Sequence, residues 1–174
     1  VLAVVAVTVL MRINAQTKEA EAAVQLQSAI KQYTKDRAAT SISLNAQTES
    51  GEVTTPEMKV DAKAVGAFQA VFDNYPSTHA GQNALYMVGV SQLNHGNYTE
   101  AIQTFENFLG KHPDSILAPS AALGKAAAQF NNNAVSDSLN TLNALTADFP
   151  NFYLKDVVAF EIAKRHEAMD NIPR

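Results

Sequence analysis

A chain of 174 residues with 47% hydrophobic content is long enough to bury one ordinary core, and its seven Gly and six Pro are few enough to favour helices over a sandwich or barrel. Thirteen Lys and Arg stand against seventeen Asp and Glu, and the net charge of −4 lies in residues 61–174, so the basic stripe that phosphate contacts demand is missing and no nucleic-acid partner is expected. The lack of cysteine excludes disulfide frameworks, thiolate chemistry and cysteine-ligated zinc.

Val1 to Met11 is an uncharged apolar run closed by Arg12. Eleven helical residues rise about 16 Å, roughly half of a ~30 Å hydrocarbon core, so the run alone cannot span a bilayer. The sequence does not begin with Met, and residues 1–12 read as a truncated transmembrane helix. A signal peptide cleaved at Ile13-Asn14-Ala15 and a buried soluble helix are the competing readings. Arg12 favours a cytoplasmic exit under the positive-inside rule but does not fix sidedness on its own.

From residue 13 to residue 39 the helical pattern continues without Gly or Pro. Ala22, Leu26, Ala29, Ile30 and Tyr33 fall on one stripe, which is expected to dock on the helices that follow or on a partner helix. Residues 40–59 are rich in Ser, Thr, Asn and Glu and read as a flexible linker.

Residues 60–174 are periodic. Pro76, Pro113 and Pro150 recur every 37 residues, with Phe68, Phe105 and Leu142 eight residues before them. Such a step means stacked copies of one supersecondary unit, an all-α solenoid that presents surfaces for binding. Helices are predicted over 60–74, from a cap at Ser77 or Thr78 to Asn94, and over 99–111, 117–130, 135–148 and 155–170. Gly, Asn and Pro break the pattern between them. Lys155 to Asp170 has no second helix after it and reads as a terminal cap, and its Lys164-Arg165-His166 as a solvated basic patch.

The central copy carries Gly89, Gly96, Tyr98, Ala101, Phe105 and Pro113 at steps of seven, two, three, four and eight. These offsets resemble the tetratricopeptide repeat: a small residue in helix A, a turn glycine, aromatic and small residues in helix B, and a closing proline. The flanking copies depart from it. The first matches only at Ala64, Phe68, Val71 and Pro76, so its helix A is expected from Ala22 to Tyr33. The third has Ser138, Leu142, Leu145 and Pro150, with Asn in place of the turn glycine. Gln92 occupies the place of the repeat's helix-A aromatic.

Nothing in the pattern points to catalysis. His79, His95, His112 and His166 are scattered, with no metal-ligand or paired-carboxylate spacing, and His95 and His112 sit where they suit helix C-termini. No phosphate loop or nucleophile elbow occurs. A non-enzymatic protein with no cofactor and no metal is expected. In tetratricopeptide arrays the A helices line a concave groove, and that register implies a partner-binding face of Asn83, Tyr86, Met87 and Val90, then Ser120, Leu123, Ala127 and Phe130, then Val157 and Phe160.

An N-terminal membrane helix running into an Ala/Gln-rich helix and a short repeat array resembles the inner-membrane-anchored periplasmic tetratricopeptide proteins that are ancillary to the SecYEG translocon. The resemblance implies a single-pass bacterial inner-membrane protein with a periplasmic domain, attending the translocon and exported chains. The alternatives are a structural accessory subunit of a large respiratory or photosynthetic membrane complex, and a periplasmic envelope-assembly protein.

Overall fold

The computed structural model describes residues 2–49 and 62–170 of the chain. Seven helices follow one another, with no strand among the described residues: α1 (Leu2–Glu49), α2 (Ala62–Asn74), α3 (His79–Asn94), α4 (Tyr98–Lys111), α5 (Ala118–Asn131), α6 (Val135–Asp148) and α7 (Lys155–Asp170). The chain divides into two compact units, Val1–Leu85 and Tyr86–Arg174, with the boundary inside α3.

The 37-residue step appears in the backbone. α2, α4 and α6 end at Asn74, Lys111 and Asp148. At each end the next residue's N–H bonds back four residues, Tyr75 to Val71, His112 to Phe108 and Phe149 to Leu145, at 3.0, 2.8 and 3.0 Å. Pro76, Pro113 or Pro150 then stops the helix, because proline has no N–H to extend the ladder. The turn glycine also has its counterpart: Gly96 has φ +81° and Asn133, 37 residues later, has φ +62°. Asn is among the few side-chain-bearing residues that tolerate this left-handed conformation, which is why it replaces Gly there.

In the first unit α1 packs on α2. Ala22, Leu26, Ala29 and Tyr33 are buried, as the stripe predicts, while Ile30 is exposed. Tyr33 meets Phe68 edge to face with ring centroids 5.8 Å apart, and the Gln25 amide donates to the Tyr75 hydroxyl at 3.0 Å. The start of α3 is capped twice. Thr78 Oγ1 accepts the Gly81 N–H at 2.9 Å, and the Glu19 carboxylate of α1 accepts the N–H groups of His79 and Ala80 at 2.9 and 3.1 Å. Those are orphan donors of a helix start, and the carboxylate also meets the positive end of the helix dipole.

α1 does not stop at residue 39. It runs through residues 40–49, the first half of the segment read as linker, because Leu44, Ala46, Gln47 and Glu49 favour helix and no Gly or Pro interrupts them. Residues 50–59 of that segment, and the expected helix start at residue 60, lie outside the described residues. Near its beginning α1 exposes Val5, Val7, Val9, Leu10, Met11 and Ile13. Among the described residues no helix is long and apolar enough to cross a membrane.

In the second unit α4 packs on α5, α5 on α6 and α6 on α7. Phe105 of α4 is fully buried with its ring against two glycines. A Cβ added at Gly89 of α3 would lie 2.8 Å from that ring, and one at Gly124 of α5 would lie 2.6 Å from it. Ala122, Ala126, Leu142, Leu145, Phe152 and Val158 form the core farther along, with Leu109, Leu123, Phe149, Leu154 and Ile162 around it. Gln92, which departs from the expected aromatic, accepts a hydrogen bond from Thr104 Oγ1 at 2.7 Å; Gln129 and Thr141 repeat the pair 37 residues on, at 2.8 Å.

Candidate functional site

α5 and α7, two A-type helices of the second unit, flank a solvent-open groove of about 270 Å³. Leu123, Ala127, Phe130 and Asn131 line it from α5, and Val157, Glu161, Lys164 and Arg165 from α7. The helical period explains the set: 123, 127 and 130 share one face of α5, and 157, 161 and 164 share one face of α7. The small Ala127 leaves room between bulkier walls.

Four of the ten residues expected on the binding face, Leu123, Ala127, Phe130 and Val157, are brought together here. Phe160 lies on α7 and is 67% exposed, outside the lining. Ser120 is half-buried earlier on α5. On α3, Met87 and Val90 are half-buried, and Asn83, exposed, belongs to the first unit. Tyr86 serves packing: its ring lies 6.1 Å from that of Phe105 and 6.2 Å from that of Phe108. Burial pushes its phenol pKa up, and Tyr153 adds to the shift.

The groove's polar end holds what sequence reasoning missed. Arg165, read as part of a solvated patch, is 2% exposed. Its Nε donates to Ser138 Oγ of α6 at 3.0 Å, its Nη1 pairs with Glu161, and its guanidinium lies 4.2 Å from the centre of the Phe130 ring. Ser138 in turn donates to the Ala126 carbonyl of α5 at 2.6 Å. One cation thus ties three helices together. A buried guanidinium requires such satisfaction, because an unpaired charge out of water costs several kcal/mol. Burial lowers its pKa, but with a partner carboxylate it remains a cation. The signal for this network was Ser138 itself, a hydroxyl at the position where Ala64 and Ala101 stand in the earlier copies.

Lys164 differs from its neighbour. Its side chain is half-exposed, 3.8 Å from Glu161 and 5.4 Å from the centre of the Phe130 ring. His166 is exposed, so of the expected basic patch only Arg165 turns inward. The other histidines sit at helix ends. His95 Nδ1 lies 2.6 Å from the Ser91 carbonyl at the end of α3, and His79 is beside Glu19 at the start of α3. His112 packs edge to face on Phe108 at 5.4 Å, and burial lowers its pKa, with Lys111 adding to the effect.

This arrangement offers apolar walls, one buried ion pair and one accessible cation, a surface suited to holding a side chain or a short segment. Residues 83–115, spanning most of α3, all of α4 and the turn beyond it, match the family model described as Tetratricopeptide repeat. Comparison with curated proteins gives no match. Over the matched span, which contains Gly89, Gly96, Tyr98, Ala101, Phe105 and Pro113, the chain is similar to the protein-binding repeats of that family.

Proposed function

We propose that this chain is a non-enzymatic scaffold that holds a protein partner in the α5–α7 groove. The observation that carries the reading is the groove: side chains as large as Phe130 and Val157 stand partly open to solvent on two A-type helices, beside a network that fixes the helices to each other. An apolar cleft with few polar groups is what a docked segment needs. The match to a tetratricopeptide repeat supports the same class of function.

The finer reading is an accessory of protein export and periplasmic folding at the Sec translocon, single-pass in a bacterial inner membrane. Its support is the exposed apolar start of α1, whose Val5, Val7, Val9 and Leu10 leave no polar face for water, leading into a helix that packs on α2. The test is a gentle-detergent purification of the native full-length protein, with the co-purifying proteins quantified. Translocon subunits with substoichiometric exported chains are the expected result. A fixed stoichiometric set of energy-converting subunits would replace that reading with a structural role. Envelope-assembly factors would replace it with a part in outer-membrane construction. Recovery of the chain alone would remove the scaffold reading.

A further inference from the structure

We infer that the α5–α7 groove selects an apolar segment carrying an acidic residue, with the carboxylate held by Lys164. The inference rests on the proposal that this groove is the partner site. Leu123, Ala127, Phe130 and Val157 supply the apolar walls. The charges at the end of the groove do not balance: Lys164 and Arg165 face a single carboxylate, Glu161.

The two cations divide that carboxylate unequally. Arg165, almost wholly buried, takes one Glu161 oxygen, and its remaining reach goes to Ser138 and the face of Phe130. Lys164 stands 3.8 Å from the other oxygen, half-exposed, with its ammonium near the Phe130 ring. Its ammonium is compact and freely rotating, with three donors. A carboxylate arriving on a segment seated against Phe130 and Val157 would meet Lys164 without breaking the Arg165–Glu161 pair. A basic segment would meet the Lys164 ammonium, half-exposed beside a buried Arg165 already paired with Glu161, and be repelled. In a chain of net charge −4, this is a local reversal of sign in a concave place, where field lines concentrate.

The test uses three synthetic twelve-residue peptides identical in their leucine and phenylalanine positions and bearing two Glu, two Gln or two Lys elsewhere. Binding to the full chain is read by fluorescence polarisation at low and at high salt. The Glu peptide is expected to bind about fivefold tighter than the Gln peptide and the Lys peptide weakest, with the differences shrinking as salt rises. Lys164→Glu, whose fold circular dichroism checks, should reverse the order. Val157→Ser, a neutral change at an exposed position that removes apolar wall, should weaken all three peptides. Equal binding of the three peptides, an unchanged order in Lys164→Glu, or no binding of any would overturn the acidic preference. If binding depends on Val157 but not on charge, the preference fails and the groove stands. If the Glu peptide binds and Val157→Ser leaves it unchanged, the groove itself is the wrong site.

Discussion

The joint of α1 with α2 and the joint around Phe105 solve one packing problem by different means. In the second unit the contact is made by volume: a phenylalanine ring fills the space that Gly89 and Gly124 leave empty. In the first unit it is made by reach. Tyr33 leans on Phe68, Gln25 stretches to Tyr75, and Glu19 holds two backbone N–H groups at the start of α3. A repeated helix inherits its seat from the copy before it. A long unrepeated helix must be fastened by individual side chains, polar ones such as Gln25 and Glu19 beside its buried apolar stripe.

The largest expected effect breaks the volume joint. Phe105→Ala removes a fully buried ring between two glycines that cannot fill the hole, and should cost about 3 to 5 kcal/mol in denaturant unfolding. If the joints are alike, Phe68→Ala should cost as much. A smaller loss would show that Glu19 and Gln25 carry part of the first. Next comes Gly81→Ala, because a Cβ there overlaps the Tyr75 carbonyl oxygen, a backbone atom with no rotamer to yield. About 2 to 3 kcal/mol is expected, and a smaller cost would mean the turn at Pro76 shifts easily.

Glu19→Gln tests the reach joint by itself. The amide oxygen still accepts, but the charge against the helix start is lost, and about 1 kcal/mol should go, more at low salt than at high. The smallest effect is a pH dependence at His112. Its folded pKa is below that of the unfolded chain, so the unfolded state binds the proton more readily. Its contribution is therefore complete above the ordinary imidazole value, about 6.5, and declines as pH falls below it. His112→Asn should flatten the wild-type loss of thermal stability in that window, and identical slopes would discount it.

Helix ends were legible because proline and the glycine or asparagine turns leave a chemical mark. The predicted 135–148 and 155–170 coincide with α6 and α7, and the array's other boundaries that fall on described residues lie within about one residue. The docking stripe of α1 was legible for the same reason, a 3.6-residue period of buried Ala, Leu and Tyr. Two things were not. The continuation of α1 to Glu49 hides behind Ser and Thr, whose helix propensity is middling and decided by context. The inward turn of Arg165 depends on Ser138, 27 residues away, and a charged triplet gives no sign of which member finds a partner. Register fixes which residues share a helix face, and four of the ten residues expected on the binding face line the α5–α7 groove. It does not fix which faces remain open, as Tyr86 shows.

The glycines around Phe105 also limit how the array could grow. Its copies share a frame: helix ends, left-handed turn and Gln–Thr bond all recur after 37 residues. The volumes do not recur. Where Gly89 stands in one copy Ala126 stands in the next, and the residue opposite shrinks from Phe105 to Leu142. A tandem duplication of residues 98–134 would keep the frame yet set a second Phe105 against the methyl group of Ala126. Such a lengthened chain would be overpacked at one atom, and Ala126→Gly in the same gene would relieve it. The modules are interchangeable in pitch but matched in size, so lengthening requires paired substitutions.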